Sequence, residues 1–364
     1  ILEAVLNRGA VLAEPGEFTK RAFLNGKLDL TQAEATLDLI RASNEGSLKL
    51  AASQLRGNLA EKIEGLREDL LLMIAYYEAK IDFPDENIEE MLDFEVETKL
   101  NQLINRMERL LAGLKQGRLL HEGLNTVIFG KPNVGKSSLL NALLGKDRAI
   151  VTEIPGTTRD LIIEKIEIED LLLNLIDTAG VRYTVDRIEQ IGVEKTKEVL
   201  KEADLALLVL DGGTELEKND QLVFELIKEI EVPILMLLNK VDLKELITTK
   251  EDLKNIFPGT KIIEISALEG QGLKEIGKEI KKIFDLEEIG SEEEPLLTRM
   301  RHGEELKKAL HHLKETLSSL QMGLPEDFLT IDLRAAWEHL GRILGQGVEE
   351  DILDRIFNEF CIGK

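Results

Sequence analysis

The chain has 364 residues, which is enough for two or three domains that each bury a core of their own. Its 69 acidic and 46 basic residues give a net charge of −23. This charge argues against a protein that coats nucleic acid with a uniformly basic surface, but it leaves room for a nucleic acid bound in a local groove or brought by a partner. A single cysteine excludes an intramolecular disulfide and suits a reducing cytoplasm, and the short, charge-interrupted apolar runs predict no transmembrane span.

Residues 1–28 are interrupted by Gly and Pro, and we expect them to form the tail of a preceding domain and the start of a helical one. The chain opens on Ile1 without an initiator Met or a signal peptide, so we expect an N-terminal portion to be missing. From residue 29 to about 119, apolar residues recur every three or four positions, as in helices with one buried face. Thr31 and Glu34 have the spacing of a capping box, and residues 86–118 predict one continuous helix.

Between residues 120 and 286 the pattern changes to apolar strands that alternate with helices. Residues 205–210 are apolar at every position, which is typical of a parallel sheet covered on both faces. Two strands follow each other almost directly near Asp170, which predicts an antiparallel hairpin. The predicted strands are 125–129, 161–169, 171–177, 205–211, 233–239 and 261–266.

Residues 287–364 return to the helical pattern after an acidic linker at 285–294. Four basic side chains of this part are expected on a solvated helix face, although a nucleic acid could also contact them: Arg299, Arg301, Lys307 and Lys308. Because helical segments precede and follow the α/β stretch, the sequence predicts a discontinuous all-α domain with an inserted α/β domain.

The stretch Gly130-Lys131-Pro132-Asn133-Val134-Gly135-Lys136-Ser137 lies between a predicted strand and a predicted helix, the context of a phosphate-binding loop. Gly130 and Gly135 permit a tight turn whose N–H groups face an anion, and the helix adds the positive end of its dipole. Lys136 would then reach the β- and γ-phosphates, and the Ser137 hydroxyl would bind Mg²⁺.

Three further short motifs each follow a predicted strand. They are Asp177-Thr178-Ala179-Gly180, Asn239-Lys240-Val241-Asp242 and Ser266-Ala267-Leu268. Asp177 can join the Mg²⁺ shell and the Gly180 N–H can meet a γ-phosphate. Asp242 can accept guanine N1–H and the 2-amino group, which adenine lacks, and an N–H of residues 266–268 can meet guanine O6. Four motifs in order at the carboxyl ends of strands predict a GTPase domain with a six-stranded, mostly parallel sheet.

The residue after the second motif is Val181, where Ras-type switches place a Gln that orients the attacking water. A Val side chain cannot orient water, so another group must do so. The downstream charged residues leave this choice open from the sequence alone: Arg182, Asp186, Arg187 and Glu189.

Over essentially its whole length the chain resembles the MnmE/TrmE family of tRNA-modification GTPases. The matches are residues 14–30, Glu-Pro-Gly-Glu-Phe-Thr-Lys-Arg-Ala-Phe-Leu-Asn-Gly-Lys-Leu-Asp-Leu, then 155–160, Pro-Gly-Thr-Thr-Arg-Asp, and 361–364, Cys-Ile-Gly-Lys. The first and last lie outside the GTPase core and separate this family from other small GTPases. In the family, a folate-binding domain precedes the helical domain, so this chain would lack most of that folate domain.

The resemblance implies that GTP hydrolysis is activated by a potassium ion in place of an arginine finger, with Asn133, Thr152, Ile154 and Thr157 at the matching ligand positions. Thr158 matches the threonine that joins Ser137 on Mg²⁺, and Glu189 matches the catalytic carboxylate, which acts as a base or orients water. Lys136 and Glu189 are the expected catalytic residues at the nucleotide, and the expected GTP-binding set is larger. That set is Asn133, Val134, Gly135, Lys136, Ser137, Ser138, Thr152, Glu153, Ile154, Pro155, Gly156, Thr157, Thr158, Asp177, Thr178, Ala179, Gly180, Asn239, Lys240, Val241, Asp242, Ser266, Ala267 and Leu268.

The resemblance also implies a second site that binds 5-formyl-tetrahydrofolate, mostly on the missing domain, with Lys27 and Lys364 at matching positions. Cys361 would lie near this site, where its thiol could take part in modifying the tRNA wobble uridine. A lone cysteine is otherwise most often a small buried hydrophobe.

The function implied is that of a cytoplasmic, potassium-activated GTPase that forms a homodimer and a heterotetramer with an FAD-dependent protein of the MnmG/GidA family. Together they would install carboxymethylaminomethyl or aminomethyl groups at C5 of the wobble uridine. The domains would be 1–28, the end of the folate domain; 29–119 and 287–364, the helical domain; and 120–286, the GTPase domain. The alternatives are a ribosome-assembly GTPase switch, which usually carries an RNA-binding module that is not evident here, and a self-assembling mechanical GTPase.

Overall fold

The computed structural model describes residues 2–42, 44–83, 93–146, 162–176, 200–216, 224, 232–286 and 296–360. The chain divides into two compact units, one of Ile1–Ala42, Ser47–His121 and Gly290–Lys364 and the other of Ser43–Gly46 and Glu122–Ile289. The described secondary structure of the first unit is helical, and the second contains a sheet with flanking helices. The predicted fold class, a discontinuous helical domain with an inserted α/β domain, is confirmed.

The helices and strands are named here in chain order. The helices are α1 Leu2–Leu6, α2 Glu17–Leu24, α3 Leu30–Arg41, α4 Glu45–Leu55, α5 Asn58–Asp82, α6 Asp93–Ala112, α7 Leu114–Glu122, α8 Lys136–Lys146, α9 Lys250–Ile256, α10 Leu273–Ile283, α11 Met300–Gln321, α12 Glu326–Ile343 and α13 Glu350–Asn358. The strands are β1 Leu124–Phe129, β2 Ile162–Ile168, β3 Leu171–Ile176, β4 Leu205–Asp211, β5 Ile234–Asn239 and β6 Lys261–Glu264. No helix in the described part of the chain is long and apolar enough to cross a membrane.

The core of the helical unit is formed by the apolar faces of α5, α6, α11 and α12. The predicted continuous helix over 86–118 is wrong at its C-terminal end, because α6 stops at Ala112 and α7 begins at Leu114. A Cβ atom on Gly113 would lie 2.8 Å from the Leu296 side chain, and one on Gly117 would lie 2.2 Å from the Leu297 carbonyl oxygen. The segment with Leu296 and Leu297, which follows the α/β unit in the chain, therefore packs where these glycines leave space.

The predicted capping box at Thr31 and Glu34 is also wrong. The N-cap of α3 is Asp29, two residues before the predicted N-cap Thr31. Asp29 Oδ1 accepts hydrogen bonds from the N–H groups of Thr31 at 2.8 Å and Gln32 at 3.1 Å, and Gln32 Oε1 accepts from the Asp29 N–H at 3.1 Å. Asp29 and Gln32 thus satisfy the free donors of the first turn, which leaves Glu34 for another role.

Glu34 and the residue one turn later, Asp38, form a buried ionic cluster with residues of α7, of α11 and of the position just before α11. Glu34 Oε2 lies 2.8 Å from His302 Nε2 and 3.1 Å from Arg301 Nη2. Asp38 Oδ1 lies 2.5 Å from Arg299 Nη2 and 2.9 Å from His121 Nε2. The expectation of a solvated helix face is therefore wrong for Arg299 and Arg301, because both guanidinium groups pair with carboxylates of α3. Lys307 and Lys308, by contrast, are exposed as expected.

The environment of this cluster shifts the pKa values of Glu34, His302 and Arg299. Burial by itself raises the pKa of Glu34, but the contact with His302 and the charges of Arg301 and Arg299 outweigh it and lower this pKa to about 2 from 4.5. Burial lowers the pKa of His302 below its ordinary value of 6.5. His302 is then neutral at neutral pH, and because an ionised carboxylate can only accept, the Nε2–H of His302 donates to Glu34.

The α/β unit is built on a six-stranded sheet in the described residues, with the order β2-β3-β1-β4-β5-β6. The predicted β2–β3 hairpin is antiparallel, and the other neighbouring pairs are parallel. Strand β3 is buried along its whole length, as are the first six residues of β4, which explains their continuous apolar sequences. Because parallel strands share one direction, the carboxyl ends of β1, β3, β4 and β5 meet at one edge of the sheet.

The depressed pKa of Glu34 predicts an acid-sensitive contribution to stability. Because the pKa is about 2 when folded and 4.5 when unfolded, this contribution is complete above pH 4.5 and is lost as the pH falls from 4.5 through about 2. We expect it to be about 3 kcal/mol at neutral pH. Wild type and Glu34→Gln would be compared by guanidinium unfolding, followed by circular dichroism, across this pH range.

The difference in unfolding free energy should be largest near neutral pH and shrink below pH 4.5. A matched control is Glu304→Gln, because Glu304 is exposed on α11, and this variant should follow wild type at every pH. A difference between wild type and Glu34→Gln that stays constant with pH would contradict the linkage.

Candidate nucleotide-binding site

The predicted phosphate-binding loop lies between β1 and α8, at the edge where the parallel strands end. Gly130 has a φ of 143°, and a Cβ atom there would lie 2.3 Å from the carbonyl oxygen of Val209 in β4. Gly135 has a φ of 98°, and its Cβ would lie 2.2 Å from Asn239 Nδ2. Both positions therefore require glycine, for the backbone conformation and for the close approach of a neighbouring strand.

The side chain of Lys136 folds back over this loop. Its Nζ donates to the carbonyl oxygens of Gly130 at 2.8 Å and Lys131 at 2.5 Å. Burial lowers the pKa of the Lys136 ammonium group below its ordinary value of 10.5. The charged end of Lys136 is thus held across the loop, where a phosphate oxygen could replace a carbonyl as its acceptor.

Two polar residues of the loop expose oxygen atoms of the kind that Mg²⁺ and K⁺ bind. Ser137 lies exposed in the first turn of α8, and Asn133 lies exposed in the loop itself. Asn133 adopts a left-handed backbone with φ 65°, a conformation that Asn tolerates better than most residues. These side chains fit the predicted ion ligands in chemistry and accessibility. Among the described residues, no group of three or more His, Cys, Asp or Glu forms a metal site of another type.

Asn239, the last residue of β5, connects the loop to a second motif. Its side chain is 2 % exposed. Its Nδ2 donates to the carbonyl oxygen of Val134 at 2.8 Å, and its Oδ1 accepts from the backbone N–H of Ala267 at 3.0 Å. One amide group therefore holds the loop after β1 and the segment after β6 in a fixed relation.

The motif continues to Asp242, which is exposed and has no side-chain hydrogen bond or ion pair with another described residue. Its carboxylate is available to a ligand at the same edge of the sheet. Ser266 is fully buried, and its Oγ accepts from the N–H of Glu269 at 3.1 Å, which shapes the turn that presents Ala267 and the exposed Leu268.

Several predicted site residues lie outside the described residues, and one lies in the other unit. Those outside are Thr152, Glu153, Ile154, Pro155, Gly156, Thr157, Thr158, Asp177, Thr178, Ala179, Gly180, Glu189, Cys361 and Lys364. Lys27 lies exposed in the turn after α2, in the helical unit, where its N–H donates to the Ala22 carbonyl oxygen at 2.9 Å.

The sequence analysis missed Asp211, the last residue of β4. Its Oδ2 lies 2.5 Å from Lys240 Nζ, and its Oδ1 accepts from the N–H of Gly213 at 2.9 Å. The signal that could have identified Asp211 is its position, since it is an acidic residue that ends an otherwise apolar strand at the ligand-binding edge.

These features define the class of the inserted unit. A phosphate-binding loop follows β1, a parallel sheet supports it, and a buried Asn and an exposed Asp follow β5. The unit is an α/β P-loop GTPase domain, and it is inserted in a helical domain.

Comparison with known proteins identifies the family. The family model described as the MnmE helical domain matches residues 30–361. The tRNA modification GTPase MnmE of Desulforamulus reducens is 46% identical over 364 residues, covering 100% of this chain and 78% of that protein. The protein of the same name from Heliobacterium modesticaldum is 48% identical over 368 residues, with the same coverage of each chain. The chain belongs to the MnmE family.

The close approach at Gly135 predicts the effect of adding one methyl group. In Gly135→Ala, the new Cβ would overlap Asn239 Nδ2, and the alanine would have a φ that is unfavourable for a residue with a side chain. The loop or the Asn239 side chain must therefore move. We expect a loss of about 1–3 kcal/mol in stability and an affinity for a fluorescent GDP analogue that is weaker by roughly tenfold or more. Thermal unfolding and fluorescence titration would measure the two effects.

Gly145→Ala is the matched control, because Gly145 lies in α8 with nothing within 4 Å of an added Cβ. This variant should be neutral or slightly stabilising, since Ala favours a helix. Equal GDP affinity in Gly135→Ala and wild type would show that the Asn239 contact does not shape the nucleotide site.

Proposed function

We propose that this member of the MnmE family hydrolyses GTP, and that hydrolysis drives modification at C5 of the tRNA wobble uridine. The observation that carries the GTP part is the Asn239 side chain, which joins the phosphate loop to residues 266–268 while Asp242 stays exposed. Groups that suit phosphate and guanine thus lie at one edge of one sheet. The names of the relatives, tRNA modification GTPases, support the tRNA part.

At the phosphate end, the backbone N–H groups of the loop and the N-terminus of α8 would bind the phosphates. Lys136 would exchange its loop carbonyls for oxygens of the β- and γ-phosphates. Ser137 and Thr158 would hold Mg²⁺, with Asp177 in its outer shell and the Gly180 N–H on the γ-phosphate.

At the base end, the Asp242 carboxylate would accept both the N1–H and the 2-amino group of guanine, and this pairing excludes adenine. A backbone N–H of residues 266–268 would donate to guanine O6. Because Asn239 binds the Ala267 N–H with its own oxygen, it orients this segment without occupying the base site.

Asn133, Thr152, Ile154 and Thr157 would hold a potassium ion beside the phosphates. When bound there, the ion supplies positive charge to the oxygen atoms on which negative charge develops, the role of an arginine in other GTPases. Asn133 supports this role because its amide is exposed at the turn of the loop.

Since Val181 cannot orient water, we assign that task to Glu189, which would act as a base or position the water through a hydrogen bond. Glu189 is the acidic residue that matches the catalytic carboxylate of the resembled family, and it follows Val181 by eight positions in the sequence.

The modification itself would need components beyond the GTPase domain. We propose that the protein acts in the cytoplasm as a homodimer, with an FAD-dependent MnmG/GidA-family partner, and that 5-formyl-tetrahydrofolate supplies the carbon for a carboxymethylaminomethyl or aminomethyl group. Lys27 and Lys364 would contact the folate, and Cys361 would lie near it. In this assignment residues 1–28 end the folate domain, 29–119 and 287–364 form the helical domain, and 120–286 form the GTPase domain.

Potassium activation is tested by the rate of GTP hydrolysis in potassium and in sodium at equal ionic strength, with Mg²⁺ present. We expect hydrolysis in potassium to be faster by roughly tenfold or more, because the ion offsets charge in the transition state. Asn133→Ala should lose most of this difference. Asn141→Ala, on the exposed face of α8, should keep it. Equal wild-type rates in the two salts would rule out the cation mechanism.

The tRNA role is tested in a strain that lacks the protein, by mass spectrometry of tRNA nucleosides. The C5-modified wobble uridines should disappear and return with the full-length wild-type protein. Glu189→Ala should fail to restore them, because it would not hydrolyse GTP, and Cys361→Ser tests whether the thiol is needed. Unaltered nucleosides together with co-sedimentation of the protein with ribosomes would instead support a ribosome-assembly switch.

A further inference from the structure

Asp211 ends β4 directly beside Asn239, its partner in the parallel register with β5. The Asp211 side chain is 8 % exposed, and both of its oxygens are engaged. Oδ2 lies 2.5 Å from Lys240 Nζ, and Oδ1 accepts from the Gly213 N–H at 2.9 Å. A buried carboxylate of this kind is costly unless it is paired, and Lys240 supplies the opposite charge.

The loop that carries Asp211 is tied to the loop that carries Lys240. The Gly212 carbonyl oxygen accepts from the N–H groups of Ile247 at 2.8 Å and Thr248 at 3.1 Å. Thr248 Oγ1 donates to the Thr214 carbonyl oxygen at 2.7 Å. A Cβ on Gly213 would lie 2.5 Å from the Leu243 side chain, so the two loops are in close contact. These contacts fix the backbone next to Asp211 against the loop that follows Lys240.

Lys240 also has an unusual backbone. Its φ of 69° lies in the left-handed region, which is unfavourable for a residue with a Cβ. The conformation is held by its neighbours, since the Val241 N–H donates to the Ile265 carbonyl oxygen at 3.2 Å. The backbone sets the direction in which the Lys240 side chain leaves, and Asp211 holds its charged end.

We propose that Asp211 is a positioning residue for the guanine nucleotide, and that it acts through Lys240. A free lysine side chain loses much rotamer freedom when a ligand orders it. Lys240 lies between Asn239 and Asp242 in the sequence, and Asp211 orders its side chain before the nucleotide binds. Less side-chain entropy is then lost when the nucleotide binds, so the affinity is higher. This role rests on the proposed function, because it requires guanine nucleotide at this edge of the sheet.

The proposal predicts which properties change. GTP and GDP share the base and the ribose, so both should bind more weakly when Asp211 loses its charge. The choice of guanine over other bases should stay, because the Asp242 carboxylate makes it. The rate of hydrolysis at saturating GTP should also stay unchanged. Asp211 belongs neither to the groups proposed to bind the phosphates nor to the segment proposed to orient the water.

Asp211→Asn is the test variant, since it keeps the shape and removes the charge. We expect the dissociation constants of GTP and GDP analogues to rise by roughly tenfold each, as for the loss of a charge-assisted hydrogen bond. KM for GTP should rise with kcat little changed. Lys240→Met should have the same effect by a second route, and adding Asp211→Asn to Lys240→Met should weaken binding no further.

Asp204→Asn is the matched control, at the residue just before β4 begins. Asp204 Oδ2 accepts the Asn125 N–H at 3.0 Å, far along the strand from the nucleotide edge. This variant should lower the thermal midpoint but leave nucleotide affinity at the wild-type value. Comparison with the control separates a loss of fold stability from a loss of ligand positioning.

Three results would overturn the proposal. If Asp211→Asn lowers the thermal midpoint but binds GTP and GDP as wild type does, the pair is structural only. If it changes base selectivity, as Asp242→Asn should by admitting xanthine, Asp211 determines specificity instead. If wild type binds no guanine nucleotide, the proposed function fails, and this role of Asp211 fails with it.

Discussion

The nucleotide site depends on one buried amide group. Asn239 uses both ends of its side chain, donating to the Val134 carbonyl oxygen and accepting from the Ala267 N–H. Because the group is buried, loss of either partner would leave a polar atom without a hydrogen bond, at a cost of about 1–3 kcal/mol. The same amide explains why residue 135 is a glycine, since any side chain there would meet Asn239 Nδ2. Asp211 extends this arrangement to β4 through Lys240.

The helical unit has a comparable constraint in the carboxylates of α3. Asp38 pairs with His121, in the last turn of α7, and with Arg299, just before α11. These residues lie on the two segments that flank the α/β unit in the chain. Buried ion pairs often add little net stability, but removing one partner is costly because a charge is left unpaired. The cluster therefore favours the arrangement in which both flanking segments pack against α3.

Much of this structure could be predicted from local pattern. The six strands, the β2–β3 hairpin and the helix after the phosphate loop follow from apolar periodicity and turn residues, which act over a few positions. The errors have a common cause. The Thr31 and Glu34 spacing suited a capping box. Glu34 instead pairs with Arg301 and His302, which are more than 260 positions away in the sequence. Likewise, the break between α6 and α7 depends on the approach of Leu296 and Leu297 to two glycines.

The sequence by itself determined the inserted-domain organisation, the order of the nucleotide motifs and the resemblance to the MnmE family, because short spacings along the chain carry this information. Only the tertiary structure decided that Asn239 joins two motifs and that Asp211 holds Lys240. It also showed that Arg299 and Arg301 are paired with α3 instead of facing solvent. The physical reason is that the same local sequence pattern is compatible with a polar side chain that faces water and with one that pairs with a residue far away in the sequence. The choice depends on which strands and helices the fold brings beside it.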